Sequence, residues 1–151
     1  MTVYFLDSSA LVKRYITETG SAWVQQIADP QMGNALFIAR ITWVEVISAF
    51  ARRKREGSIT SADFAQVKNE FRADLSNQYQ ASELDATTAE RAGQLVDRYP
   101  LRAYDAVQLA SVLLLQSALS TTQLIFLSAD NRLGNVAIAQ GLLFDNPNNH
   151  P

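Results

Sequence analysis

The chain has 151 residues, of which 48% are hydrophobic and 19% are charged, a balance typical of one soluble globular domain. Its formal net charge of −2 argues against a protein that binds nucleic acid through a global positive field. Cysteine is absent and the only histidine is His150, which excludes thiol catalysis, thiolate metal sites and histidine-dependent acid–base pairs. Any chemistry must therefore depend on carboxylates, with a hard cation as the expected cofactor.

Several kinds of segment are missing from the sequence. No apolar run approaches the roughly twenty residues of a membrane-spanning helix. The N-terminus lacks the basic start and apolar stretch of a secretory signal, and the six glycines are too scattered for a phosphate-binding loop. We expect a cytoplasmic protein without a membrane partner, in which residues 1–151 form a single domain and residues 146–151 a flexible tail.

The first half of the chain alternates short apolar runs with helical patterns. Ser8 and Ser9 after Asp7 are typical of a helix start. Cations at 52–55 followed by Gly57 favour a helix end, and Thr60 with Asp63 predicts a capping box. The predicted strands cover residues 3–6 and 36–39, and the predicted helices begin after Asp7 and cover residues 21–28, 42–56 and 60–77.

The second half continues the alternation. Its predicted strands are 79–84, 124–127 and 142–144, and its predicted helices are opened by Thr87 with Glu90, by Asp105 with Gln108, and at Asn131. Strands separated by helices imply crossover connections, so the expected fold is an α/β three-layer sandwich. Its central sheet would be mostly parallel, with four or five strands and helices on both faces. The functional crevice of such a sheet lies beyond the carboxyl ends of its strands.

Four acidic residues stand out against this pattern. Asp7 directly follows the first strand and Asp130 follows the strand 124–127, so both are expected at the same edge of the sheet. Glu45 lies on an apolar helical face without a cation three or four residues away, and this arrangement is costly unless a metal ion or a distant arginine compensates it. Asp105 opens the most apolar helix.

Each acid also has a purely structural interpretation. Asp7 and Asp130 could cap helices, and Asp105 could form a capping box with Gln108. Glu45 could lie at the rim of the apolar face, or it could pair with Arg52, two turns further along its helix. The basic run at 52–55 is more typical of a solvated helix end than of a phosphate site.

Four segments of the sequence together resemble the PIN domain, a nuclease fold known from VapC-type toxins of toxin–antitoxin pairs. Residues 4–13 resemble the opening strand and its aspartate, and residues 42–46 fit the helix that carries the glutamate. Residues 101–110, which contain Asp105-Ala106, are the most specific match, and residues 127–133 resemble the closing segment. Ser128 stands where many members of the family have threonine, and it keeps the hydroxyl group.

The resemblance implies both a site and a cofactor. Mg²⁺, with Mn²⁺ as a substitute, would bind an acidic cluster, because hard cations prefer oxygen ligands. Asp7 and Asp105 would be direct ligands, Glu45 would bind through water or orient the nucleophile, and Asp130 would complete the site or hold a second metal. The implied supporting hydroxyls are Ser128 and Ser8, and the candidate phosphate contacts are Lys13, Arg14, Arg102 and Arg132.

The activity implied by the resemblance is metal-dependent endonucleolytic cleavage of RNA, by in-line attack of an activated water. The expected partners are RNA, a cognate antitoxin protein and a second copy of the chain. Two alternatives remain open at this point. One is a catalytically silent PIN-like module that binds RNA or protein; the other is a phosphoacceptor of the receiver or dehalogenase type. Ser9 replaces the second aspartate of the dehalogenase pattern, and no lysine follows Lys68.

Overall fold

Five short strands form one sheet, in which every neighbouring pair is parallel. A computed structural model describes residues 1–119 and 123–151. The strand order is β3-β2-β1-β4-β5, so β1 and β4 lie at the centre. Val3 is in register with Ala35 on one side and with Leu124 on the other. The strands are β1 (Val3–Leu6), β2 (Ala35–Ala39), β3 (Tyr79–Ser82), β4 (Leu124–Leu127) and β5 (Leu143–Asp145).

The helices cover both faces of this sheet, which confirms the predicted α/β sandwich. Parallel strands require such crossover connections, and the helices keep the apolar strands from water. The helices are α1 (Ser8–Tyr15), α2 (Ser21–Ala28), α3 (Thr42–Glu56), α4 (Ser61–Asn77), α5 (Ala86–Arg98), α6 (Ala103–Ala118) and α7 (Asn131–Ala139). Single 3₁₀ turns lie at Pro30–Met32 and Pro147–Asn149.

Alternating side chains of the central strands supply two apolar cores. Phe5 and Phe126 pack with residues of α5, α6 and α7 on one face of the sheet. Leu6 and Leu127 pack with residues of α1 to α4 on the other face. All four side chains are fully buried. The period-2 alternation of β1 and β4 therefore fixes which helices meet above and below the sheet.

Two predicted helix starts are wrong. Helix α5 begins at Ala86 rather than at Thr87 with Glu90, because the carboxylate of Asp85 accepts hydrogen bonds from both the N–H and the hydroxyl of Thr88. Helix α6 begins at Ala103 without a side-chain cap, and Asp105 lies within its first turn. The predicted capping box of Asp105 with Gln108 is absent because the Gln108 side chain points inward to α3.

The C-terminal residues, predicted to be a flexible tail, pack against the domain. Asn146 is buried, and its amide donates to the Asn131 side chain at 2.8 Å. The ring of His150 stacks on Trp23 of α2 with a centroid distance of 3.9 Å. His150 Nε2 lies 2.9 Å from Asp145 Oδ2. An aromatic partner and a side-chain amide therefore hold a segment whose composition is otherwise that of a loop.

The strand order places a crevice at the carboxyl ends of β1 and β4. The chain moves from β1 towards β3 on one side and from β4 to β5 on the other, so its direction reverses between these two strands. The N–H of Asp7 donates to the carbonyl of Leu127 at 3.0 Å across the gap. Receiver domains have the strand order 2-1-3-4-5, so the observed order excludes that form of the phosphoacceptor hypothesis. Within the described ranges, no helix is long and apolar enough to cross a bilayer.

Candidate active site

A pocket of about 330 Å³ opens at this crevice. Its walls come from the residue after β1, from α3, from the start of α6 and from the loop after β4. The structure brings all four acids selected from the sequence to this one pocket, although they are far apart along the chain. We call it the acidic pocket; its lining includes Asp7, Ser8, Ser9, Glu45, Asp105 and Asp130.

Asp7 is the most deeply buried of the four acids, with 4% of its surface exposed. It caps α1, and its Oδ1 accepts hydrogen bonds from the Ala10 N–H at 2.9 Å and the Ser9 hydroxyl at 2.7 Å. Burial raises the pKa of Asp7 to about 6, although hydrogen bonds from Ser128, Ser9 and Ala10 oppose this shift. No cation pairs with Asp7 among the residues that the structure describes, so its charge is stabilised by dipoles alone.

Ser9 is a residue that the sequence reasoning missed. Its hydroxyl accepts a hydrogen bond from the Ala129 N–H at 2.9 Å and lies 3.3 Å from the Ser128 hydroxyl. Ser128 is fully buried and accepts a hydrogen bond from the N–H of Asp130. Ser9 therefore connects the two strand ends that carry Asp7 and Asp130. The available signal was a second small hydroxylic residue directly after Ser8.

Glu45 is half-buried on α3 and is held by two neutral donors. The Ser8 hydroxyl donates to its Oε2 at 3.2 Å, and Gln108 Nε2 donates to its Oε1 at 2.8 Å. Burial raises the pKa of Glu45, and the charge of Asp105 raises it further, while the hydrogen bonds oppose the shift. The alternative of an ion pair with Arg52 is wrong, because α6 instead supplies the polar partner of Glu45 through Gln108.

Gln108 is a second residue whose role the sequence reasoning missed. It is 1% exposed, and its Nε2 also donates to the Thr42 hydroxyl at 2.8 Å. Its Oε1 is buried without a hydrogen-bond partner in the described part of the chain. A buried amide oxygen without a hydrogen bond costs free energy of folding. The two hydrogen bonds that Gln108 Nε2 donates therefore account for a glutamine at this position. That nitrogen fixes the orientation of Glu45.

Asp105 and Asp130 lie closer to solvent. Asp105 pairs with Arg102, whose Nε donates to the Oδ2 of Asp105 at 3.2 Å. Asp130 caps α7, and its Oδ1 accepts from the N–H groups of Arg132 and Leu133. The helix-cap interpretation is therefore confirmed for Asp7 and Asp130. A cap uses only Oδ1 of each carboxylate, so the same residue can also line the pocket.

The four candidate phosphate contacts are not equivalent. Arg102 lines the acidic pocket, and Arg132 joins it in an adjoining cavity of about 310 Å³. Lys13 is buried and pairs with Glu18 in a neighbouring groove. Arg14 lines neither cavity; it donates to the Tyr79 hydroxyl and lies 3.5 Å from Asp74. The packing between α1, α4 and β3 thus accounts for Arg14.

The donor chemistry of the acidic pocket suits a hard divalent cation, since its ligating groups are carboxylate and hydroxyl oxygens. The repulsion between Asp7 and Glu45, and between Glu45 and Asp105, is the electrostatic condition that a cation would relieve. Across residues 1–119 and 123–151, however, no three acidic or histidine side chains stand close enough together to hold a metal ion. The carboxylates are suitable ligands for such an ion and line one pocket. In the described residues they are not arranged as a complete coordination shell.

Comparison with known proteins agrees with the fold. The PIN domain family model matches residues 4–139, and the chain belongs to this family. Two relatives from Mycobacterium tuberculosis, named ribonucleases VapC45 and VapC49, are each 33% identical over 141 residues, which is 93% of this chain and 93% of theirs.

Solved structures share the fold at lower sequence identity. VapBC2 from Rickettsia felis, bound to a DNA fragment from its promoter, superposes with a TM-score of 0.65 at 11% identity, covering 96% of this chain and 98% of that one. PAE2754 from Pyrobaculum aerophilum gives a TM-score of 0.58 at 21% identity, covering 95% and 83%. A toxin–antitoxin complex from Klebsiella pneumoniae gives 0.51 at 23% identity, covering 81% and 83%.

Proposed function

We propose that this protein is a Mg²⁺-dependent endoribonuclease and the toxin of a toxin–antitoxin pair. One observation carries the proposal: four carboxylates from distant parts of the chain line one pocket at the switch point of a PIN-family sheet. The buried carboxylate of Asp7 has no cationic partner in the described residues. The names of the mycobacterial relatives support RNA as the substrate.

Each acid of the pocket has a separate role in the proposed reaction. Asp7 and Asp105 would bind the cation directly, through the oxygen atoms that do not cap a helix or contact Arg102. Glu45, held by Ser8 and Gln108, would bind through water or orient the attacking water. Asp130 would complete the site or hold a second ion. When bound, Mg²⁺ or Mn²⁺ supplies a Lewis acid that lowers the pKa of water and offsets charge on the phosphoryl oxygens.

Arg102 and Arg132 would contact the RNA phosphates. Both side chains lie beside the acids, and Arg102 is 85% exposed although it contacts Asp105. An exposed guanidinium exchanges partners at little cost, because a surface ion pair contributes only about 0–1 kcal/mol. These two arginines can therefore turn to a phosphate without disturbing the fold.

An antitoxin protein is the proposed regulatory partner, and a second copy of the chain is the expected homodimer partner. The Rickettsia VapBC2 structure and the Klebsiella toxin–antitoxin complex support the first partner through their shared fold. Expression of this chain alone should arrest growth, and co-expression of a small protein encoded beside its gene should restore it. Light scattering of the purified chain measures the oligomeric state.

The decisive experiment is cleavage of labelled RNA by wild type and by Asp105→Asn, with Mg²⁺ or with EDTA. We expect cleavage by wild type that needs the cation and falls more than a hundredfold in the variant, since a direct ligand is lost. Asp97→Asn is the matched control, because Asp97 is exposed on α5 and does not line the acidic pocket. Equal cleavage by both variants would refute the assignment. A wild type that arrests growth or binds RNA without cleaving any RNA would establish the silent binding module instead.

A further inference from the structure

A second groove continues from the acidic pocket along α1 and α3. Its volume is about 540 Å³, and Ser8, Ser9, Glu45 and Tyr104 line both cavities. Beyond these shared residues, the charged side chains of the lining are mostly basic rather than acidic. We call this cavity the α1–α3 groove; its far end is lined by Lys13, Glu18, Ser48, Arg52 and Arg53. A chain that lies in the acidic pocket can therefore continue directly into a region rich in cations.

Three cations line the α1–α3 groove, and one carboxylate holds two of them. Glu18 Oε2 lies 3.1 Å from Lys13 Nζ, while Glu18 Oε1 pairs with the guanidinium of Arg53. The Lys13 side chain is 5% exposed, so its charge requires an anion. Arg52, one residue before Arg53, is exposed and forms no ion pair with any described residue. The far end thus has more positive than negative charge.

The contacts of the Glu18 carboxylate with Lys13 and Arg53 resemble those expected for a phosphodiester group. Each of its two oxygen atoms contacts a different cation, as the two non-bridging oxygens of a phosphate do. Glu18 lies between α1 and α2, outside both helices, and its side chain is 25% exposed. A carboxylate on a loop can leave without breaking a helix. A phosphate in its place would gain Arg52 as a third cation.

We propose that Lys13, Arg52 and Arg53 form a binding site for a backbone phosphate of the RNA strand, which Glu18 occupies when RNA is absent. This proposal rests on the proposed function, because the strand must reach the acidic pocket through the shared residues. Backbone contacts of this kind fix the register of a strand without reading its bases. The basic run at 52–55 is therefore divided: Arg52 and Arg53 face the groove, whereas Lys54 lies over the Phe64 ring at 4.5 Å.

The test measures RNA affinity without turnover. Every variant carries Asp105→Asn, EDTA is present, and the probe is a fluorescein-labelled unstructured single-stranded RNA titrated at several salt concentrations. Arg53→Gln and Arg52→Gln are compared with Arg55→Gln, which removes the same charge from the same helix outside the groove. We expect each groove variant to raise Kd about five- to tenfold and to reduce the salt slope by about 0.7. The Arg55 control should change Kd less than twofold.

Glu18→Gln provides the opposite test, with Glu56→Gln as the charge-matched control on α3. Removal of the resident carboxylate should tighten RNA binding about threefold, and removal of Glu56 should not. If Glu18→Gln fails to fold because Lys13 loses its partner, the two arginine variants decide the question. Arginine variants that match Arg55→Gln would overturn the proposal. So would arginine variants that keep RNA affinity and lose only a protein partner.

Failure of this inference and failure of the proposed function are separable. If wild type cleaves RNA with Mg²⁺ and the groove variants bind like the Arg55 control, only the phosphate site is refuted. If the groove variants lose RNA affinity and wild type cleaves no RNA, the phosphate site is supported and the nuclease proposal fails. Circular dichroism and thermal melting of each variant establish that the fold is intact.

Discussion

The hydroxyl of Ser9 accepts a hydrogen bond of 2.9 Å from the backbone N–H of Ala129, which joins the start of α1 to the loop after β4. The same hydroxyl lies 2.7 Å from Oδ1 of Asp7. Two acids that are 123 positions apart in the chain, Asp7 and Asp130, are therefore positioned by one small side chain. The geometry of the acidic pocket depends on this connection as much as on the acids themselves.

Replacement of Ser9 by alanine should cost about 1 kcal/mol of unfolding free energy, because the partly buried N–H of Ala129 loses its acceptor. Cleavage should fall as well, since Asp7 loses its shortest hydrogen bond. Urea unfolding and RNA cleavage measure the two effects. Ser76→Ala is the control, because that hydroxyl donates only to a carbonyl on the exposed face of α4. Ser9→Thr keeps the hydroxyl and should retain most of the stability; a Ser9→Ala protein as stable as wild type would contradict the proposed connection.

Asp7→Asn should stabilise the metal-free protein at neutral and alkaline pH. Burial raises the pKa of Asp7 from 3.8 to about 6, so the folded protein binds a proton more tightly than the unfolded chain. Stability contributed by this group therefore falls as pH rises from about 4 to about 6, by about 2–3 kcal/mol. The variant should lack this loss, so its advantage in Tm should be present at pH 8 and absent at pH 4.

The measurement is thermal melting in EDTA across this pH range, with Asp97→Asn as the control. Asp97 is exposed on α5, so its replacement should leave the pH dependence unchanged. An Asp7→Asn protein whose Tm stays parallel to that of wild type at every pH would show that the Asp7 carboxylate is stabilised as fully in the fold as in water.

Gln108→Met should separate stability from activity. Methionine fills a similar volume and removes the unpaired buried oxygen, which offsets part of the cost of leaving Thr42 and Glu45 without their donor, so the loss in unfolding free energy should be about 1–3 kcal/mol. Glu45 loses the donor that orients it, and loss of such an indirect partner commonly costs about 10–100-fold in activity or metal affinity. RNA cleavage should fall accordingly, with a higher Mn²⁺ concentration needed for half-maximal rate. Gln94→Met, on the exposed surface of α5, is the matched control. A variant with unchanged cleavage would show that Gln108 only packs.

Mn²⁺ and Mg²⁺ should raise the Tm of wild type and leave that of Asp105→Asn nearly unchanged. A ligand that binds only the folded state at a hundred times its Kd adds about 2.7 kcal/mol, which corresponds to about 5–10 °C for a chain of this size. The ion also relieves the repulsion around Glu45, so the shift should be larger at pH 8 than at pH 5. A shift of the same size in both proteins would place the ion somewhere other than the acidic pocket.

The sheet and most helices could be predicted because their signals are local. The bounds of α3, Thr42–Glu56, follow from an apolar period that ends in cations and Gly57, whose φ of +80° suits glycine. The adjacency of Asp7 and Asp130 follows from a general property of parallel sheets, which brings the carboxyl ends of neighbouring strands to one edge.

The roles of Gln108 and Ser9 could not be predicted in this way. Gln108 meets Glu45 across 63 positions, and Ser9 meets Ala129 across 120. Their sequence neighbours offered each a local alternative, a capping box for Gln108 and a helix start for Ser9. Only the packing of α6 on α3 and of β1 beside β4 decides between these alternatives, because it determines which polar atoms are buried together.

The packing of the last residues has a practical consequence for handling the protein. The Asn146 side-chain amide donates to the carbonyl of Ala129, and the His150 ring stacks on Trp23. The C-terminal segment follows the carboxyl end of β5 and therefore lies at the same edge of the sheet as the acidic pocket. Met1 precedes β1 at the opposite edge and is 88% exposed. A purification tag, a fluorophore or a surface linker attached at Met1 leaves the crevice open. The same attachment after Pro151 would follow directly on the segment in which Asn146 contacts Ala129 and Asn131, the two residues that flank Asp130.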